Sequence, residues 1–214
     1  MLMLNMDFSR LVYVDTNATE WSNSPLPGVD RKPLAREESE RGHATSLVRY
    51  SAGSIFRPHP HPLGEEILVL DGVFSDESGD YHKGSYFRNP PGSSHAPYSK
   101  QGCLLLVKLH QFAPFDLNSV SIDASEIWRG EEPVYVPLYE YGAERVYLVR
   151  EHHASAHLKS LVPAASVELF VLEGQAEYDG LSLRPGVWLR LADFDLSKWI
   201  VQTSCFFWLK TGHF

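Results

Sequence analysis

Residues 53–72 read GSIFRPHPHPLGEEILVLDG, and the two halves of that stretch point to different things. The second half, EEILVLDG, is an apolar run of strand length closed by a turn-forming Asp-Gly. The first half alternates histidine with proline. His59 and His61 are two residues apart, so on an extended strand both imidazoles leave one face while Pro58, Pro60 and Pro62 leave the other. Three prolines remove three ladder donors, which puts this strand at an edge or rim, where a cavity would open. Glu65, four residues after His61, shares its parity provided Gly64 inserts no bulge.

The apolar half has a twin. EEILVLDG (65–72) aligns with VELFVLEG (167–174), and the same shift of 102 residues runs without a gap to the C-terminus. It matches Glu66 with Glu168, Gly72 with Gly174, Gly84 with Gly186, Arg88 with Arg190, Cys103 with Cys205, Lys108 with Lys210 and Phe112 with Phe214. Upstream, LVR at 47–49 recurs at 148–150 with the shift smaller by one. A register that holds glycines and cysteines together implies two copies of one unit. The division is expected near FAPFDLNSVSIDASE, giving domains 1–115 and 116–214.

Each copy reads as β. Segments such as ATSLVRY, SYFRNP and CLLLVKL are rich in aliphatic and aromatic residues, are punctuated by Gly, Pro, Asp and Ser, and show no helical period. An all-β sandwich or barrel is the expected class. Several runs are apolar on consecutive residues (ILVL, LFVL, LLLV, FFWL), so both faces of those strands should be covered, by the sister copy or by a second chain. A homodimer is the expected assembly.

Composition narrows the function. The 214 residues carry 19 Lys plus Arg against 27 Asp plus Glu, a formal charge of −8 that repels phosphate backbones, so no nucleic-acid partner is expected. No apolar run approaches the ~20 residues of a membrane helix, and the start has no basic region ahead of a sustained apolar stretch, so no membrane partner is expected and residence is expected to be cytoplasmic. The two cysteines, Cys103 and Cys205, are too few for a disulfide framework or a four-cysteine zinc site. Ten histidines leave an imidazole site open.

A fourth ligand to join His59, His61 and Glu65 is found in NPPGSSHAP, where His95 follows a tight Pro-Gly turn. Three neutral imidazoles and one carboxylate suit a single divalent first-row ion with positions left for water, oxygen or a small-molecule ligand. Zinc is the expected metal, with iron, manganese or nickel as alternatives, since imidazole suits most of them. Under the shift of 102 the four ligands become Leu161, Pro163, Val167 and Ser197, so the second copy is expected to bind no metal. Leu161 and Val167, with Phe170, Trp188 and Trp208, read as apolar filling, and His152, His153 and His157 as a solvated turn.

The spacing Gly53, five residues, His59, one, His61, three, Glu65, six, Gly72 resembles the first motif of the cupin superfamily. Gly84, five residues, Pro90, one, Gly92, two, His95 resembles the second, with Ser99 where the motif ends in Asn. The resemblance implies a bicupin: two tandem double-stranded β-helix (jelly-roll) barrels, the metal in the first. Over LPGVDRKPLARE, GHATSLVRY, GEEILVLDGVFSDESGDY and RNPPGSSHAP the chain is similar to the zinc-binding cupin domain of ChrR-type anti-sigma factors and to stand-alone bicupins like it. That likeness implies a link to responses to singlet oxygen or organic peroxides, and a regulatory protein partner. The helical domain with paired cysteines that grips the sigma factor in that family has no counterpart in this sequence. Cupins that cleave 1,3-diketones use three histidines without a carboxylate, and Glu65 departs from that pattern.

Two functional classes follow: a regulatory or sensing module that responds to oxidised small molecules or peroxides, and a metal-dependent oxygenase or related enzyme acting on a chelating substrate such as a β-dicarbonyl. Arg49, Arg57, Tyr86, Lys108 and His110 fall in segments expected near the first barrel and are the candidates for orienting a ligand or for catalysis. No Ser/His/Asp arrangement or phosphate-binding glycine loop competes.

Overall fold

The computed structural model describes residues 3–37, 42–152, 158 and 166–214. In chain order its strands are β1 (Val12–Asp15), β2 (Ser22–Asn23), β3 (Val29–Arg36), β4 (Ala44–Tyr50), β5 (Ser54–Ile55), β6 (His59–His61), β7 (Glu65–Asp76), β8 (Gly79–His82), β9 (Ser85–Asn89) and β10 (Ser93–His95). They continue as β11 (Tyr98–Ser99), β12 (Cys103–Leu109), β13 (Val120–Asp123), β14 (Val134–Tyr141), β15 (Glu144–His152), β16 (Val167–Tyr178), β17 (Leu181–Leu183), β18 (Val187–Leu191) and β19 (Trp199–Thr211). A short helix, α1 (Ser125–Arg129), and two 3-10 turns stand among these strands. The protein is all-β, as expected. No helix among the described residues is long and apolar enough to cross a membrane, and Cys103 and Cys205 are both free and buried.

The chain forms two compact units, one made of Met1–Met6 and Glu20–Gly130, the other of Asp7–Thr19 and Glu131–Phe214. Division at a single point after residue 115 is therefore not what the structure draws. The reason is strand pairing. β13 lies beyond residue 115, yet it runs antiparallel to β9 with Val120 opposite Arg88. β1 lies at the start of the chain, yet it pairs with β18, Val12 opposite Arg190.

In the first unit the main sheet runs β13-β9-β7-β12-β4-β3-β2, and β6 and β10 form a separate two-stranded ribbon. In the second the order is β1-β18-β16-β19-β15-β14. The copies correspond closely: β7 and β16 each span twelve residues, and each carries a bulge, at Leu70 against β12 and at Leu172 against β19. Just beyond the bulge Gly72 and Gly174 adopt φ of +71° and +73°, and a Cβ on either would stand 2.1 Å from a carbonyl oxygen of the next strand. Only glycine fits there, which is why the sequence register preserves both.

Strand alternation gives each unit two faces. In the first, Val29, Val48, Ile67, Val69, Phe87, Leu105 and Val107 form one apolar cluster. The opposite face is buried too and mixes leucines (Leu47, Leu68, Leu106) with ion pairs: the Tyr86 hydroxyl donates to Glu66 at 3.0 Å, and Arg88 pairs with Glu66 at 3.2 Å and Asp116 at 2.9 Å. The second unit repeats this. Val167, Leu169, Val171, Leu189, Phe207 and Leu209 fill its interior, while Trp188 Nε1 donates to Glu168 at 2.9 Å and Lys210 meets Glu144 at 2.9 Å. Trp188 thus stands at the opposite parity from Val167, and so do Phe170 and Trp208, because each lies an odd number of positions from the inward residues of its strand. The expectation that these aromatics fill the interior with Val167 is corrected accordingly.

Candidate metal centre

The four expected ligands come together. His59, His61, Glu65 and His95 each offer a donor atom, all within 4.8 Å of one another. β6 holds His59 and His61 on one face as its period requires, their ring centroids 5.1 Å apart. β10 runs antiparallel to β6 with His95 directly opposite His59, at 5.0 Å between rings. The turn that places it is built by Ser93 N donating to Pro90 O at 3.0 Å and Gly92 N to His61 O at 2.9 Å. Glu65 arrives by a different route than simple alternation, since the chain turns at 62–64 and Gly64 takes φ +84°. A Cβ on Gly64 would fall 2.3 Å from the Phe112 ring, so this turn also demands glycine.

Glu65 Oε2 lies 3.5 Å from Nε2 of His61 and 3.5 Å from Nε2 of His95. Neither is a hydrogen bond at that length, and buried His61 Nε2 has no hydrogen-bond partner at all. An orphaned buried nitrogen facing three other donors is costly unless something fills the centre. Donors held about 2.1 Å from one zinc ion at tetrahedral angles stand roughly 3.4 Å apart, so the cluster fits a small divalent cation. The supporting contacts also fit. His59 Nδ1 lies 3.3 Å from the Arg57 carbonyl, His95 Nδ1 lies 3.3 Å from Asp76 Oδ2, and Asn89 donates to Glu65 Oε2 at 3.1 Å. The two histidine contacts are made through Nδ1 and leave Nε2 available, while Asn89 shares the inward Oε2 of Glu65, which keeps a second lone pair.

Electrostatics favour the ligating forms of the imidazoles. Burial, helped by His95, His59 and His110, pushes His61 down to about 3. Burial and His59 lower His95 against the opposing pull of Asp76. Burial raises Glu65 to about 7, Asn89 opposing and Asp76 adding to the rise. In the metal-free protein the His61 and His95 imidazoles are thus held neutral and the Glu65 carboxylate is strained as an anion, a state that a cation would relieve.

The centre opens on a cavity of about 570 Å³. Its wall is the inward face of β3, β4, β7 and β12, including Val29, Val48, Ile67, Leu105 and Val107. Of the residues singled out as ligand-orienting, only His110 lines it. Arg49, Tyr86 and Lys108 fail for one reason: they alternate with Val48, Phe87 and Val107 and so face away. Arg49 is instead paired with Asp30 at 2.7 Å and stacked over Trp21, Tyr86 is tied to Glu66, and Lys108 Nζ donates to Thr45 Oγ1 at 3.0 Å. Arg57 contributes its carbonyl rather than its exposed side chain. In their place the cavity receives Arg31, Arg36, Tyr50 and Phe56. Neither Asn89 nor Arg36 was singled out from the sequence: Asn89 is placed by the pairing of β9 with β7, opposite Glu65, and Arg36 by a bulge between Pro33 and Ala35 that resets the parity of β3.

The equivalent positions of the second unit hold no such set. Val167 is part of the apolar filling, and Ser197 donates to Asp195 at the start of a 3-10 turn. Leu161, Pro163, His153 and His157 lie outside the described residues; His152 Nε2 contacts the Glu131 carbonyl at 2.9 Å.

Residues 9–113 match the family model described as the ChrR cupin-like domain, and the first unit, with its donor set, is cupin-like. A search of curated proteins found no match. Among solved structures the chain is similar to bacterial pirin YhhW in complex with nickel(II) from Escherichia coli, with 12% identity over 94% of this chain and 98% of that one and a TM-score of 0.67. It is also similar to Ylba from E. coli, with 12% identity over 97% and 93% and a TM-score of 0.63. A "putative dioxygenase" from Nostoc punctiforme matches with 13% identity over 96% and 83% and a TM-score of 0.68. At these identities the likeness speaks for the fold.

Proposed function

We propose that this protein is a bicupin of two tandem double-stranded β-helix barrels, that His59, His61, Glu65 and His95 of the first hold one zinc ion, and that it acts as a sensing module for small oxidised molecules. The observation that carries the reading is the buried, unpartnered His61 Nε2 facing the other three donors. A divalent ion bound there supplies Lewis acidity toward a ligand entering from the cavity. The chain's own residues do the positioning: Asp76 and the Arg57 carbonyl orient His95 and His59, Asn89 holds Glu65, and the apolar wall excludes water on the side away from the ligands.

A second reading, a metal-dependent oxygenase or related enzyme acting on a small chelating substrate such as a β-dicarbonyl, is favoured by the cavity. Its volume of about 570 Å³ is that of an organic-ligand pocket, and the Nostoc relative of the same fold points the same way. Elemental analysis of the isolated protein, followed by oxygen uptake with β-dicarbonyls and peroxides, separates the two. One zinc per chain without turnover supports the sensor, and iron with oxygen consumption supports the enzyme. Metal content unchanged in His61→Ala overturns both.

A further inference from the structure

β12 ends at Leu109, and the next residue, His110, takes φ +60°. In that left-handed region a Cβ crowds the neighbouring carbonyl, so glycine is the residue that enters it freely. The second unit does have glycine there. Under the shift that aligns the copies His110 corresponds to Gly212, at φ +67°. The turn is the same one: His110 N donates to Gly64 O at 3.0 Å and Gly212 N to Ser166 O at 3.3 Å, and Gly64 and Ser166 are themselves partners under that shift. A Cβ on Gly212 would stand 2.2 Å from the Ala143 carbonyl oxygen, so the second unit has no room for a side chain at this corner. The first unit, which brings the four donors together, keeps the corner open and places an imidazole in it at a conformational cost.

That imidazole stands beside the centre without belonging to it. His110 lines the cavity together with His59, His61 and Glu65, and it lies close enough to His61 for a charge on one ring to oppose a charge on the other. It is not one of the four convergent donors. It is half-buried, and its ring makes no hydrogen bond, ion pair or ring contact with the described residues. A neutral imidazole carries one N–H donor and one acceptor nitrogen, so His110 brings both to a wall that is otherwise largely apolar. Backbone strain is retained where the site it builds has a use for it.

We propose that His110 is a ligand-binding residue of the metal centre: it hydrogen-bonds the second atom of a small molecule whose first atom takes an open position on the metal. The proposal rests on the four-donor metal reading above and adds the class of ligand, a molecule with a donor or acceptor atom directly beyond the coordinating one. An organic hydroperoxide has that arrangement, and so does azide.

The test uses azide as the probe and the full chain loaded with cobalt(II), an ion that imidazole also suits and whose visible absorption reports added ligands. Metal stoichiometry is measured by elemental analysis, and thermal melts are run on the metal-free protein. His110→Gly should bind cobalt at the wild-type stoichiometry and melt no lower than wild type, since glycine takes the turn freely. It should nevertheless bind azide about 10- to 100-fold more weakly, the range for one hydrogen bond to a charged partner. His110→Gln, which keeps an N–H of similar reach, should recover part of that affinity, and His110→Phe none. Equal azide affinity in wild type and His110→Gly overturns the proposal, as does a cobalt-loaded wild type that binds no azide. A histidine serving only the fold would give the reverse pattern, a lower melting temperature with azide affinity intact. Failure of the metal reading looks different again: the wild type would bind no cobalt.

Discussion

Replacing Glu65 by glutamine should make the metal-free protein more stable and the metal-binding protein worse. Burial raises the Glu65 carboxyl from 4.5 to about 7. At about 1.4 kcal/mol per pH unit, the difference of roughly 2.5 means that holding this group ionised in the fold costs about 3 kcal/mol. The sign follows from proton binding. The folded state holds the proton more tightly than the unfolded chain, so the stabilisation is complete below 4.5 and is lost as pH rises through about 7. His61 runs the other way, since its lowered value of about 3 makes stability fall as pH drops below 6.5, but that loss is common to both proteins and cancels in the difference. Glutamine keeps the shape and an oxygen for Asn89 to donate to, without the charge. In excess chelator, thermal melts of Glu65→Gln and wild type should nearly coincide at pH 4 and separate by about 3 kcal/mol at pH 8, roughly 6–12 °C for a chain of this size. Adding metal at a hundred times its dissociation constant should return about 2.7 kcal/mol to the wild type and much less to the variant. A pH-independent difference, or a variant less stable than wild type at pH 8 in chelator, would refute the reasoning.

The remaining expectations are simpler. Asp76→Asn alters none of the four donors but removes the carboxylate that contacts His95 Nδ1, so metal affinity should fall about 10- to 100-fold with little change in fold, as read by competition with a chromophoric chelator. Arg49→Ala should leave metal affinity unchanged and stability within about 1 kcal/mol, since its pair with Asp30 is partly exposed; a large loss of binding would restore Arg49 to the site. Arg88→Ala strands two buried carboxylates, Glu66 and Asp116, and should cost about 3–5 kcal/mol in denaturant unfolding. Gly72→Ala would drive a Cβ to 2.1 Å from the Gly102 carbonyl at positive φ and should cost more than the ~1 kcal/mol of an ordinary glycine substitution.

The ligands were readable because their placement depends on local period and turn chemistry. His59 and His61 needed only alternation, and His95 only the turn at Pro90–Gly92. The repeat was readable because glycines at positive φ and a bulge leave a fixed register, Gly72 with Gly174. The cavity wall was harder. Arg49, Tyr86 and Lys108 look like ligand-orienting residues by type, and only the pairing of β9 and β12 with β7, and of β4 with β12, shows that they face away. Arg36 enters because one skipped residue near Leu34 reverses the parity of β3, and nothing in the local sequence announces that bulge. The exchange of residues 7–19 and 116–130 between units was hidden for a related reason: strand pairing over long separations leaves no local periodicity behind it.

That exchange bears on why a copy without ligands accompanies one that has them. A polypeptide severed after residue 115 would leave Ser85–Asn89 without Val120–Asp123, and Val187–Leu191 without Val12–Asp15. Each fragment would then present a naked hydrogen-bonding margin, and the VWLRL margin, mostly apolar, is the kind that templates aggregation. A cut after residue 115 would thus take one strand from each unit, Val120–Asp123 from the first and Val12–Asp15 from the second, because the two units are interleaved along the sequence.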